Sequence, residues 1–176
     1  MTMTRREIIG GGGAILAGLF AGPKTGYATP IFVNVTMRGK NNGAHVWFDP
    51  VGIHIQPGQI IRWTNRDPAN SHTVTAYHPD ISGRPLRIPV GAAPFDSGYL
   101  LPEESFTVTF SAIGVYDYYC VPHEHAGMVG RIVVGAPSAT VADAPAGSAP
   151  APLPDVALKA FPSVNDIVAK GVVRRG

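Results

Sequence analysis

The chain has 176 residues, of which 45% are hydrophobic and 15% are charged, a composition that supports a packed core and excludes wholesale disorder. Residues 1–28 hold three of the 14 Lys and Arg and one of the 12 Asp and Glu, so 11 of each sign remain without them, and no basic surface is left for nucleic acid. Cys120 is the only cysteine, which excludes an intramolecular disulfide.

Residues 1–28 have the order of features found in an export signal. Arg5 and Arg6 precede an apolar run at 8–21, and small residues ending in Ala28 follow. Twin arginines ahead of apolar residues are typical of a twin-arginine signal. The run is short and interrupted by glycines, so we expect cleavage after Ala28, export to the periplasm or a similar compartment, and no stable membrane span in the mature protein. Retention of the segment as an anchor is the alternative.

Residues 29–135 form the predicted main domain, in which short strand patterns are separated by turns. Alternation of apolar and polar residues predicts strands at 31–37 and 105–110, and short apolar runs predict others at 46–48, 52–55, 59–65, 72–77, 115–119 and 129–134. The stretch 79–98 is rich in proline and glycine and is expected to be a long loop. Short strands separated by turns indicate an all-β sandwich.

The composition changes after Gly135. Residues 136–154 are mostly Ala, Pro, Ser and Gly, which predicts a linker. Residues 155–176 form a C-terminal tail with one predicted short helix, capped by Ser163 and carrying an apolar stripe of Val164, Ile167 and Val168. We expect this helix to dock on the sandwich or to contact a partner, and a loosely ordered tail is the alternative.

Three residues with metal-binding side chains lie within nine positions at the end of a predicted strand: Cys120, His123 and Met128. Thiolate and thioether sulfur together with imidazole suit copper, and two histidines, one cysteine and a weak axial methionine form a blue-copper site. A second histidine must then come from another part of the fold, and His72 lies at the start of a predicted strand. Each residue alone would have an ordinary core or surface role. The Cys-x2-His-x4-Met spacing favours a copper site.

The segment 120–128, Cys-Val-Pro-His-Glu-His-Ala-Gly-Met, resembles the copper loop of plastocyanins and pseudoazurins, in the cupredoxin family. Residues 70–74 resemble the region of that family's first histidine, and 115–119 and 128–135 resemble the strands before and after the loop. The resemblance covers about residues 31–135. It implies a Greek-key β-sandwich of about eight strands that holds one type 1 copper ion through His72, Cys120, His123 and Met128.

The resemblance further implies a single-electron carrier whose copper alternates between Cu(I) and Cu(II), with redox protein partners docking near His123. Four protein ligands leave no open position for a substrate, which argues against an enzyme. Two other functions stay open at this point: a periplasmic copper-binding or delivery module, and nucleophilic catalysis by Cys120 with His123.

Two local features leave details of the site open. His125 is an alternative loop ligand, with the spacing Cys-x4-His-x2-Met. Thr73 follows the first histidine where many relatives have asparagine, which ties the two ligand loops together. A hydroxyl makes fewer hydrogen bonds than an amide, so the rigidity of the loops and the reduction potential are not fixed by the resemblance.

Overall fold

The computed structural model describes residues 31–136 and 152–175. Within these ranges the chain forms nine strands and three short helices. The strands are β1 (Phe32–Lys40), β2 (His45–Asp49), β3 (Gly52–Ile55), β4 (Gln59–Asn65), β5 (Thr75–Ala76), β6 (Ser105–Phe110), β7 (Gly114–Tyr119), β8 (Val129–Val134) and β9 (Val172–Val173). A 3₁₀ helix spans Val121–Ala126, and the two α-helices are α1 (Asp155–Ala160) and α2 (Val164–Lys170).

The strands are arranged in two sheets. One sheet has the order β2-β1-β4-β6 and the other has the order β5-β7-β8-β3-β9. The β1–β4 and β3–β8 pairs are parallel and the remaining pairs are antiparallel. Parallel neighbours from distant parts of the sequence require the chain to cross between the sheets. Two sheets joined in this way confirm the predicted β-sandwich.

Aromatic side chains fill the space between the sheets. The Trp63 ring is fully buried, and its centroid lies 5.5 Å from that of Tyr118 in an edge-to-face arrangement. Tyr118 also meets Phe48 at 4.7 Å, and Phe110 meets Tyr116 at 4.9 Å. Each fully buried side chain of this size contributes about 1.5–3 kcal/mol through loss of its hydrated surface. This packing fixes strand β7, which leads directly into Cys120.

The predicted strands at 59–65, 105–110 and 129–134 are present with the same bounds. The predicted strand at 72–77 is shorter, because only Thr75 and Ala76 pair with β7. The side chain of Ser97 accepts the N–H of Val74 at 2.8 Å, and His72 forms an isolated bridge with Leu100. The loop 79–98 and its continuation therefore satisfy backbone groups that a longer strand would have paired.

The C-terminal segment packs against the sandwich and contains two helices and a strand, where the sequence predicts one helix. Ser163 caps α2 by accepting the N–H of Asp166 at 3.0 Å. Ile167 of α2 is fully buried, and β9 pairs antiparallel with β3. The ring of Phe161 packs against the guanidinium groups of Arg87 and Arg131, which lie 5.2 and 5.0 Å from its centre.

Neither α-helix in the described ranges is long and apolar enough to cross a bilayer. The predicted export signal at 1–28 lies outside the described residues, and so does most of the predicted linker at 136–154.

The apolar stripe of α2 gives a test of how firmly this segment is docked. Ile167→Ala should lower the free energy of unfolding by about 2–5 kcal/mol, because the truncation leaves a cavity against β3. Val168→Ala is the matched control, since Val168 is 46% exposed, and we expect it to change the value by less than about 0.5 kcal/mol. Denaturant unfolding of both variants measures the difference. Equal small effects would mean that the segment does not stabilise the sandwich.

Candidate metal centre

Three metal-binding side chains from two distant segments converge on one point. His72 lies just before β5, Cys120 follows β7, and His123 lies in the 3₁₀ helix. The Sγ of Cys120 lies 3.5 Å from Nδ1 of His72 and 3.3 Å from Nδ1 of His123. The two Nδ1 atoms are 3.2 Å apart. All three atoms lie within 4.8 Å of one another, and they form the only such group among the residues that the structure describes.

These separations fit a shared metal ion. Ligand atoms that each lie about 2 Å from one ion are separated from each other by roughly 3–3.5 Å. The donor set of one thiol sulfur and two imidazole nitrogens favours copper or zinc over magnesium or calcium. His72 and Cys120 are fully buried, while His123 is half-buried. The site is therefore closed on one side and reaches the surface through the ring of His123.

Burial also sets the protonation of the three groups. It raises the pKa of the Cys120 thiol to about 11, although the N–H of Thr73 donates to the sulfur at 3.3 Å and partly opposes the rise. It lowers the pKa values of His72 and His123. At neutral pH both imidazoles are consequently neutral and ready to bind a metal, whereas the thiol still carries a proton that the metal must displace.

The loop that carries Cys120, His123 and Met128 is closed by its own backbone. The N–H of Cys120 donates to the carbonyl of Met128 at 3.0 Å, and the N–H of Met128 donates to that of His123 at 3.1 Å. Gly127 has a φ of +75° and donates its N–H to the carbonyl of Glu124 at 2.9 Å, which turns the chain back. Met128 is fully buried where the loop closes, so its thioether is shielded from water.

Thr73 links the two segments that supply the metal-binding groups. Its N–H donates to the Cys120 sulfur, and its hydroxyl oxygen accepts the N–H of Val121 at 2.8 Å. The same hydroxyl lies 2.9 Å from the hydroxyl of Thr75, which donates to Asp96 at 2.9 Å. Since the Thr75 proton goes to Asp96, the Thr73 proton points to Thr75. The single hydroxyl of Thr73 thus connects its own segment to the loop that begins at Cys120. The hydrogen bonds from Thr73 to Thr75 and from Thr75 to Asp96 hold this hydroxyl in place.

His125 differs from His123 in its environment. It is exposed on the outer side of the 3₁₀ helix, and it does not join the group of converging ligand atoms. The arrangement brings together His72, Cys120 and His123 and leaves His125 at the surface.

Two buried carboxylates at the site were not predicted. Asp67 lies 3.0 Å from Nε2 of His72. Glu124, although it sits between two loop histidines, is buried and accepts the hydroxyl of Tyr77 at 2.7 Å and a guanidinium N–H of Arg84. Asp67 is followed by a proline, as in an ordinary turn, and Glu124 stands in a polar loop. Neither carries a sequence signal that distinguishes it from a solvated acidic residue.

The raised thiol pKa predicts how metal binding depends on pH. At pH values below the pKa of Cys120, which is about 11, each bound ion displaces one proton from the thiol. The histidines have lowered pKa values and release no proton near neutral pH. The apparent affinity should therefore rise roughly tenfold per pH unit between about pH 7 and about pH 9. Competition with a chelator of known affinity measures the slope. A flat profile would show that the thiol is already ionised.

Comparison with known proteins identifies the family of the chain. The family model of the copper binding proteins of the plastocyanin/azurin family matches residues 33–135. A chloroplastic plastocyanin of Tetradesmus obliquus is 34% identical over 96 residues, which are 54% of this chain and 63% of that protein. The chain thus spans less than two thirds of the length of that relative.

Two pseudoazurins provide further similarity. The pseudoazurin of Paracoccus pantotrophus is 33% identical over 122 residues, 69% of this chain and 74% of that protein. The crystal structure of pseudoazurin from Methylobacterium extorquens AM1 superposes with a TM-score of 0.50 and 29% identity, covering 65% of this chain and 83% of the other. Since the family model covers more than half of the sequence and includes every residue of the converging group, the chain belongs to the plastocyanin/azurin family of copper-binding proteins.

Proposed function

We propose that this protein is a single-electron carrier that holds one copper ion through His72, Cys120, His123 and Met128. The observation that carries the proposal is the convergence of a thiol sulfur and two imidazole nitrogens in a largely buried pocket. The fully buried thioether of Met128 supplies the fourth, weak ligand of the blue-copper set. With four ligands from the protein, the site has no position left for a substrate.

The bound copper supplies one-electron chemistry between Cu(I) and Cu(II), and the protein supplies a fixed set of ligands. The backbone bonds between Cys120, His123 and Met128 hold the loop, and Thr73 holds the loop to His72. Ligands held in this way need little rearrangement when the charge on the metal changes. A small rearrangement favours fast electron transfer.

The buried thiol argues against the alternative of a cysteine nucleophile. Reactive cysteines have lowered pKa values and lie in electropositive, partly exposed surroundings. Here burial raises the pKa of Cys120 to about 11, and the side chain is fully buried. The neighbouring imidazole of His123 is therefore better placed to share a metal with the sulfur than to activate it for attack on a substrate.

A spectrum of the copper-loaded protein tests the function. We expect one copper per chain, an intense thiolate-to-copper absorption band in the visible region, and reversible bleaching of that band by ascorbate and reoxidation. A protein that loses its copper on each redox cycle would instead be a delivery module, and a protein without the visible band would contradict the copper assignment.

The two loop histidines give a test of the ligand set with an internal control. His123→Ala should abolish the visible band or change it strongly, because Nδ1 of His123 lies 3.3 Å from the Cys120 sulfur. His125→Ala should leave the band unchanged, because His125 is exposed and lies outside the converging group. Absorption and electron paramagnetic resonance spectra of the two variants compare them. The reverse result would make His125 the ligand.

We place the docking of redox protein partners on the surface around His123. The His72 ring is fully buried, so the half-buried ring of His123 is the shorter way for an electron to reach the surface. Val121, Pro122 and Ala126 are exposed beside it, while the charge of Glu124 is buried and paired with Arg84. The surface around the ring is thus largely apolar.

An apolar docking surface predicts a weak dependence on salt. If residues 1–28 are removed, the remaining chain has equal numbers of acidic and basic residues, which gives little long-range steering. The rate of electron transfer with a small redox protein should therefore change little as ionic strength rises. Val121→Asp should slow the reaction without altering the visible spectrum. A steep fall of the rate with salt would show that charge pairs dominate docking.

We further propose that residues 1–28 direct export and are then removed, on the grounds of the paired Arg5 and Arg6, the apolar run and the small residues before Ala28. On this view residues 29–135 are the copper-binding domain, 136–154 a linker and 155–176 an appended segment. Sequencing the N-terminus of the protein recovered from a bacterial periplasm tests the removal of residues 1–28. Comparing its periplasmic yield with that of a variant in which Arg5 and Arg6 are replaced by lysine tests the route of export.

A further inference from the structure

Behind the buried histidine of the metal centre, on the side away from Cys120, lies a buried carboxylate. Oδ2 of Asp67 is 3.0 Å from Nε2 of His72, and the side chains are 1% and 0% exposed. Nδ1 of the same ring faces the Cys120 sulfur and His123. The two nitrogens of the His72 ring thus face two different partners, the metal centre on one side and a carboxylate on the other.

The carboxylate is held in place by several hydrogen bonds. Asn70 donates its Nδ2–H to Oδ2 of Asp67 at 2.8 Å, and the N–H of Ala69 donates to Oδ1 at 2.9 Å. The N–H of Asp67 itself donates to Oδ1 of Asn65 at 2.9 Å. Its two oxygens thus accept three hydrogen bonds, one each from Asn70, Ala69 and His72.

Two glycines, Gly39 and Gly43, make room for the side chains of Asp67 and Asn70 because they have no side chains of their own. A Cβ added at Gly39 would lie 2.1 Å from Oδ2 of Asp67, and one added at Gly43 would lie 2.2 Å from Nδ2 of Asn70. Asn70 also donates to the carbonyl of Gly43 at 3.2 Å. The backbone of β1 and its following turn therefore approaches the Asp67–Asn70 pair so closely that any side chain at Gly39 or Gly43 would displace it.

We propose that Asp67 is a positioning residue that holds the proton of His72 on Nε2 and thereby fixes Nδ1 as the copper ligand. A neutral imidazole has one N–H, and the nitrogen that binds the metal must be the other one. A carboxylate that accepts the Nε2–H selects this tautomer, orients the ring and makes Nδ1 a stronger donor. A stronger donor stabilises Cu(II) more than Cu(I), so Asp67 lowers the reduction potential.

The proposal rests on the copper function proposed above and adds to it a residue that does not touch the metal. His123 has no carboxylate partner of this kind among the described contacts, and its ring reaches the surface. The two imidazoles therefore differ in their hydrogen bonding: within the described part of the chain, His72 faces a carboxylate and His123 does not. The carboxylate acts on the buried ring, whose orientation solvent cannot influence, and leaves the half-buried ring of His123 to face the partner.

Asp67→Asn is the direct test, because it keeps the shape of the side chain and removes its charge. Affinity for Cu(II) should fall roughly 10- to 100-fold, the range for loss of such a partner, and affinity for Cu(I) should fall less. The midpoint potential should then rise by about 59 mV for each tenfold difference between the two losses. Asp80→Asn is the control of equal charge change, since the side chain of Asp80 is 80% exposed and lies 3.6 Å from His78, away from the metal centre. Voltammetry on the copper-loaded proteins compares them.

A second measurement needs no copper. In metal-free protein labelled with ¹⁵N-histidine, His72 should be the Nε2–H tautomer, and in Asp67→Asn the Nδ1–H tautomer should become populated. A merely structural role for Asp67 would lower stability and leave the tautomer of His72 unchanged. If Asp67→Asn does not fold, Asn70→Ala, which keeps the carboxylate and removes one of its donors, should give smaller shifts in the same directions.

These outcomes separate the inference from the copper function itself. A wild-type protein without a reversible visible band would remove the electron-carrier proposal, while the histidine spectrum of the metal-free protein would still test the hydrogen bond. A wild-type protein with a normal band, and an Asp67→Asn variant with the wild-type potential and the wild-type His72 tautomer, would overturn the role of Asp67 alone.

Discussion

The hydrogen bonds of Thr73 are the link on which the metal centre depends. They join the segment that carries His72 to the segment that carries Cys120, His123 and Met128, which lie about 50 residues away in the chain. Together with the pairing of Thr75 and Tyr119 between β5 and β7, this link holds the donor atoms near one another, so less of the cost of ordering two loops is subtracted from the affinity for the metal. The hydroxyl relay from Thr73 through Thr75 to Asp96 gives a short side chain the support it needs to hold both segments.

The rest of the fold fixes strand β7, which leads into one of the two segments that Thr73 joins. The aromatic core around Trp63 and Tyr118 fixes β7, so that Cys120 leaves the sheet at a defined point. A buried ion cluster reinforces the other face of the same strand, where Asp117 accepts hydrogen bonds from Arg87 and Arg131. Such a cluster is costly to desolvate, and it is tolerated because both carboxylate oxygens and both guanidinium groups are paired.

The C-terminal segment extends this support to the copper loop. Arg175 donates to the carbonyl of Gly127 at 2.6 Å, and Val156 of α1 lies against the same glycine. Phe161 packs against Arg87 and Arg131, and it also contacts the ring of Tyr77, whose hydroxyl donates a hydrogen bond to Glu124 of the loop. The segment therefore covers one flank of the loop and leaves the flank beside His123 exposed.

The class of the fold, most strand positions and a candidate set of metal ligands can be predicted from the sequence alone. Strand alternation is a local pattern with a period of two, and Cys120, His123 and Met128 lie so close together in the chain that their spacing defines the chemistry. Which groups surround them depends on the tertiary structure. Asp67 and Gly39 reach the site from other elements, and Glu124, although it belongs to the copper loop itself, is buried because Tyr77 and Arg84 from a distant segment pair with it. Long-range contacts of this kind leave no periodic or spacing signal, because each depends on the fold already being formed.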